Sequence, residues 1–90
     1  MRRLRRGPLS LRYLPDADRP RVAYAVSRSA GSAVRRNRIR RRLRAAIHEL
    51  EAAGALPPGA YLVGAGPEAL TMPFTELRRR LQALIEQGAS

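Results

Sequence analysis

Arg35-Arg36-Asn37-Arg38-Ile39-Arg40-Arg41-Arg42-Leu43-Arg44 is the densest run of charge in this chain. Seven of its ten residues are arginine, and its two apolar residues, Ile39 and Leu43, stand four apart. On an α-helix that spacing puts both on one side and fans the guanidinium groups over the rest of the circumference. The apolar stripe continues through Ala46, Ile47 and Leu50. Ser32 is placed to cap the start of this helix and Gly54 to end it, and Pro57-Pro58-Gly59 enforces a turn beyond. So many like charges repel one another, and no acidic residue occurs between Asp18 and Glu49 to moderate them. A chain that holds them on a folded helix needs a polyanion to lay them against.

Upstream, Leu9 to Leu14 alternates, with Leu9, Leu11 and Tyr13 on one face and Ser10, Arg12 and Leu14 on the other. Val22 to Ser27 alternates again: Val22, Tyr24 and Val26 face one way, Ala23, Ala25 and Ser27 the other. The loop between them, from Pro15 to Pro20, carries Asp16 and Asp18 and is a turn by composition, so an antiparallel hairpin is predicted. Downstream, Tyr61 to Ala65 reads as a third strand, with Gly64-Ala65-Gly66-Pro67 as a turn. Thr71 is placed to cap a last helix with Pro73 in its first turn. Phe74, Leu77, Leu81, Leu84 and Ile85 recur at helical spacing as its core face, and Glu76 precedes Arg80 by four residues, the favourable orientation for a pair. The predicted fold is α+β: a small two-layer sandwich in β-β-α-β-α order, with a mixed β-sheet and helices packed on one face. Residues 1–8 form a mobile basic arm, 9–87 a single RNA-binding domain and 88–90 a tail.

Ninety residues make one small domain with a thin core, and 44% hydrophobic content is too much for plain disorder. Eighteen basic against seven acidic residues leave a formal charge of +11, which points to nucleic acid or an anionic surface. Every basic residue is arginine, whose planar fork of donors suits phosphate and stacks on bases. A GC-rich genome would account for the missing lysine but not for the clustering. There is no cysteine, hence no disulfide framework or thiolate metal site. No apolar run approaches the roughly 18 residues of a spanning helix. The basic start runs into Gly7-Pro8 rather than an apolar stretch and is no secretory signal, so a cytoplasmic location without membrane association is expected.

An active site is hard to assemble from these residues. His48 is the only histidine and falls opposite the apolar stripe, where solvent is expected. The carboxylates are scattered; Glu49 and Glu51 are close in sequence, but on a helix they diverge by about 200°. No metal-ligand spacing and no phosphate-cradling glycine motif occurs. No catalytic residue, metal ligand or bound cofactor is therefore expected of the protein alone, and no protein partner is evident. The basic helix is the strong signal. Arg38, Arg40, Arg41, Arg42 and Arg44 cannot all face a core already occupied by Ile39, Leu43 and Ile47. Arg35, Arg36 and Asn37 sit in the first turns, where free backbone N–H groups also meet phosphate. The second signal is the sheet face carrying Ser10, Arg12, Leu14, Ala23, Ala25 and Ser27. Stripped of bulk, it is poor core and leaves room for a single strand to lie near the backbone; a plain surface groove is the alternative.

Val26-Ser27-Arg28-Ser29-Ala30-Gly31-Ser32-Ala33-Val34, followed by the arginine run with its Arg36-Asn37-Arg38 core, resembles the bacterial ribonuclease P protein subunit family. The resemblance extends from about Leu9 to Gln87. It implies a left-handed strand–helix–strand crossover, an exception to the usual hand. It also implies a protein that assists a catalytic RNA in the Mg²⁺-dependent removal of the 5′ leader from precursor tRNA. On that resemblance Arg28, Arg35, Arg36, Asn37, Arg38, Arg40, Arg41 and Arg44 contact the ribonuclease P RNA. Ser10, Arg12, Ala23, Ala25 and Ser27 would form the sheet face that takes the leader. Mg²⁺ is expected with the RNA, which carries the chemistry. A small ribosomal or other RNA-structural protein is the alternative, and a DNA-binding module a more distant one.

Three departures stand out. Ser29 replaces the second basic residue after the Val-Ser pair, and Gly64-Ala65-Gly66 lacks the basic residue often found there. Six basic-rich residues stand where family members carry a longer segment with an aromatic-bearing helix. Base stacking on aromatics contributes about 1–3 kcal/mol per base. Tyr13, Tyr24 and Tyr61 are expected to face the core, so a weak grip on the leader is expected.

Overall fold

The computed structural model describes residues 3–15 and 18–89. Met1 and Arg2 of the predicted arm, Asp16 of the loop and Ser90 of the tail lie outside the described residues. Four strands, β1 (Arg3–Arg6), β2 (Leu9–Leu14), β3 (Pro20–Val26) and β4 (Gly59–Ala65), form one mixed sheet in the order β1-β2-β4-β3. Two helices, α1 (Ala33–Ala52) and α2 (Phe74–Ala89), cover one face of it. The α+β class and the mixed sheet are as predicted.

Two expectations about the sheet are corrected. The stretch read as a mobile arm contains strand β1, which pairs antiparallel with β2 from Arg3↔Arg12 to Arg6↔Leu9. The predicted hairpin between β2 and β3 does not form: β4 lies between them, antiparallel to β2 and parallel to β3. The reason is burial. Tyr61, Val63 and Ala65 of β4 are all buried, whereas Val22, Tyr24 and Val26 of β3 are only half-buried. The strand with the most to hide takes a central place, and the half-buried, proline-started strand takes the edge. Parallel neighbours require a long connection, which α1 supplies.

The core is a single cluster. Ile39, Leu43, Ala46, Ile47 and Leu50 of α1 and Leu77, Leu81, Leu84 and Ile85 of α2 are buried with Leu9, Leu11, Tyr61 and Val63 of the sheet. The strand parity is as predicted: Ala23, Ala25 and Arg12 face out, while Tyr13 and Tyr24 pack against the core. The Tyr13 and Tyr61 rings lie 4.9 Å apart, and their hydroxyls donate to the carbonyls of Pro58 and Pro57 at 2.8 and 2.6 Å. Burial pushes the Tyr61 phenol up to about 12, with the neighbouring Tyr13 adding to the effect.

Helix α1 begins where predicted, with the Ser32 hydroxyl accepting the Arg35 N–H at 3.3 Å. Its end is a Schellman turn. Ala55 N–H donates to Leu50 O at 2.8 Å and Gly54 N–H to Glu51 O at 3.0 Å, with Gly54 at φ 73°. Two details of the second half differ from expectation. Gly64 and Ala65 belong to β4, and only Gly66-Pro67 breaks the strand. Thr71 does not cap α2; it ends a short 3₁₀ segment (Pro67–Leu70), and α2 starts at Phe74 directly after Pro73.

On α2, Glu76 accepts from Arg80 Nε at 2.8 Å and also from Arg79. The Arg80 hydrogen bond, above all, holds its carboxyl below the ordinary carboxylate range. A depressed native pKa contributes stability that is present above the unfolded value and is lost as pH falls through the native one. The expected result is that Glu76→Gln flattens the loss of thermal stability below about pH 4, the ordinary glutamate range. Melting curves at several acid pH values check this; superimposable acid limbs for the two proteins would remove Glu76 from the account.

Candidate nucleic-acid interface

The apolar stripe of α1 fixes which guanidinium groups meet solvent. Arg35, Asn37, Arg38, Arg41 and Arg44 are exposed, while Arg36 and Arg40 are half-buried along the margins of the stripe. Arg40 donates to Asn37 Oδ1 at 3.0 Å, so the asparagine steers a neighbouring cation as well as presenting its own amide. The Arg44 guanidinium lies over the Tyr24 ring, 5.4 Å from its centroid, which orients it across the edge strand β3. Burial pushes the Tyr24 phenol above its ordinary value, against the pull of Arg44. Arg36 Nε is buried without a hydrogen-bond partner.

Arg42 is different. It is half-buried, and its guanidinium donates to the carbonyls of Ala69 and Met72. It therefore ties α1 to the segment leading into α2 and is not part of the outward fan. Pattern alone could not separate it from its neighbours, because its acceptors are backbone atoms about thirty residues away.

The outer face of the sheet is open, and the register sets its rows. Arg5, Ser10, Gly64 and Ala25 lie side by side across the four strands, as do Arg3, Arg12, Leu62 and Ala23. All of these but Ala23 line a groove of about 690 Å³ that runs up to Ser27 and Ser29 at the end of β3. Its first row is flat because Gly64 has no side chain; a Cβ there would lie 2.3 Å from Ser10 Oγ. Ser27 and Ser29 hydroxyls are 2.6 Å apart, and the exposed Arg28 between them leads through a short 3₁₀ turn (Arg28–Ala30) to α1. The groove and the arginine helix are thus joined by one short piece of chain.

All five residues assigned to the sheet face lie on this open side, Ser10 at its floor and nearly buried. Sequence reasoning missed four of the floor residues, Arg3, Arg5, Leu62 and Gly64. Arg3 and Arg5 come from the strand read as an arm, and Leu62 comes from β4, read as a plain apolar run with no outward side of its own. The alternation Arg3-Leu4-Arg5 was the available signal. His48 is exposed, and among the described residues no three of His, Cys, Asp and Glu are grouped to hold a metal ion. No helix among them is long and apolar enough to cross a membrane.

Fold and charge together define a small α+β protein with a strongly basic helix face beside an open sheet. The family model for ribonuclease P matches residues 1–88. The chain is 37% identical over 92 residues to the ribonuclease P protein component of Brucella suis, covering 90% of this chain and 65% of that protein. It is 40% identical over 93 residues to the Thermus thermophilus component, covering 96% of this chain and 54% of that one. It thus spans between half and two thirds of the length of these relatives. Among solved structures, the Thermotoga maritima ribonuclease P protein superposes with a TM-score of 0.83 at 22% identity, over 96% of this chain and 82% of that one. The Staphylococcus aureus protein gives 0.78 at 19%, over 96% and 79%. The chain belongs to the bacterial ribonuclease P protein family.

Proposed function

We propose that this chain serves as the protein subunit of ribonuclease P, binding the catalytic RNA and the 5′ leader of precursor tRNA while the RNA performs the hydrolysis. The observation that carries this reading is the arginine face of α1, with Arg35, Arg38, Arg41 and Arg44 exposed on one helix beside an open sheet groove. Guanidinium forks on a rigid helix neutralise phosphates at fixed positions. Lowering the repulsion between leader, tRNA and catalytic RNA lets substrate and Mg²⁺ gather at the RNA active site. In this reading Mg²⁺ belongs to the RNA, the protein supplies no general base or nucleophile, and the complex works in the cytoplasm.

The groove suits a single strand. Its Ser10–Gly64–Ala25 row lets a backbone approach closely, Arg3, Arg5 and Arg12 offer charge, and Leu62 offers an apolar surface for a base. The tyrosines pack on the opposite side of the sheet, which leaves the groove without an aromatic platform. Leader binding is therefore electrostatic and weakly sequence-dependent.

The test is reconstitution. Added to cognate ribonuclease P RNA at low Mg²⁺, the chain should accelerate removal of the leader. No stimulation, together with tight binding to ribosomal RNA, would instead favour an RNA-structural role.

A further inference from the structure

The arginine face of α1 occupies one end of the molecule. α1 packs against β3 at that end of the sheet, and α2 packs against β2 and β1 at the other. Between β1 and α2 lies a second cleft of about 660 Å³, lined by Arg5, Arg6, Glu76, Arg79 and Arg80. Four guanidinium groups meet one carboxylate there, leaving three positive charges. The carboxylate is already committed, since Glu76 accepts from both Arg79 and Arg80.

The cleft is organised. Arg80 rests on the turn between β1 and β2: Gly7 there has φ 61°, and a Cβ on it would lie 2.2 Å from an Arg80 terminal nitrogen. Only a glycine turn lets the guanidinium settle against the backbone, where Glu76 then holds it. Arg5 and Arg6 on one wall and Arg79 on the other remain exposed. Arg5 also lines the sheet groove, so the two depressions meet at one side chain.

We infer that the β1–α2 cleft seats a second stretch of RNA backbone, separate from the stretch that meets α1. The inference rests on the proposed role in ribonuclease P. The occupant is argued from charge and shape. Guanidinium forks on two facing walls suit a chain of phosphates, whose regularly spaced charges can meet both walls. The separation follows from the topology. β1 and β3 are three strand spacings apart, about 14 Å, with the sheet and both helices between the two basic faces. A backbone that followed both faces would have to cross the sheet groove, which the proposed function gives to the leader, so the protein would bridge two segments of a folded RNA.

The experiment compares the double variant Arg6→Gln/Arg79→Gln with Arg38→Ala, using the full chain and ribonuclease P RNA. Both altered arginines of the double variant are exposed, and circular dichroism confirms the fold. The readouts are the salt dependence of binding and hydroxyl-radical footprints. The double variant should lower the salt slope by about two units, one for each phosphate left without its guanidinium. It should also abolish protection of one RNA segment, and that segment should differ from the one that Arg38→Ala uncovers. Weaker binding with every segment still protected would mean the two charges act only through the overall field, and would overturn the cleft. So would an unchanged slope and footprint alongside a clear effect of Arg38→Ala. If the unaltered chain does not bind this RNA, the functional reading falls, and the cleft falls with it.

Discussion

Replacing Arg35, Arg38 and Arg41 together with alanine is expected to weaken binding to ribonuclease P RNA about 100-fold at roughly physiological salt. Each phosphate contact contributes about 1 kcal/mol through counterion release at about 0.15 M salt, and each 1.4 kcal/mol is tenfold in affinity. The slope of log affinity against log salt should fall by about three units, and by about one for Arg38→Ala alone. The helix itself should survive. Alanine is the best helix former, all three side chains are exposed, and the Ser32 cap uses the backbone N–H of residue 35 rather than its side chain. The penalty should shrink as salt rises, since the attraction removed is the kind that salt screens. Filter binding across a salt series checks this; less than about threefold weakening with an unaltered slope would remove α1 from the RNA interface.

Gly59→Ala is expected to cost about 4 kcal/mol of stability. Two effects add. The backbone at Gly59 has φ 153°, a region that L-residues occupy only under strain of about 1–3 kcal/mol. An added Cβ would also lie 2.2 Å from Tyr13 Cε1, and overpacking of this kind costs about 1–3 kcal/mol. The ring cannot simply swing aside, because it packs on Tyr61 and donates its hydroxyl to Pro58 O at 2.8 Å. On a domain of this size the melting temperature should drop by about 15–30 °C. Tyr13→Ala separates the two effects: in that background the further cost of Gly59→Ala should shrink to the backbone part. An undiminished cost would leave the ring out of the account.

Much of this was legible in the residues. Ile39, Leu43, Ala46, Ile47 and Leu50 marked the buried side of α1, and Ser32 and Gly54 marked its ends, because helix periodicity and capping are local properties. The alternation in Leu9–Leu14 and Val22–Val26 identified the open face for the same reason. Strand order was not legible. A hairpin is the default for two nearby alternating strands, and only the burial of Tyr61, Val63 and Ala65 on three-dimensional packing shows that β4 must part them. Strand β1 was missed because three of its four residues are arginine; its single apolar residue, Leu4, packs against the core from the sheet edge. Arg42 and the β1–α2 cleft stayed hidden because their partners are far away in sequence.

The place of β4 at the heart of the sheet has a consequence for synthesis on the ribosome. Until residues 59–65 emerge, β3 has no partner and β2 has only β1. The arginine helix is made before that, on a nascent chain whose β-structure is still incomplete. Closure of the fold and presentation of the charged helix on a rigid support are therefore a single late event. An RNA partner waiting for the finished surface would engage it only after most of the chain has left the exit tunnel.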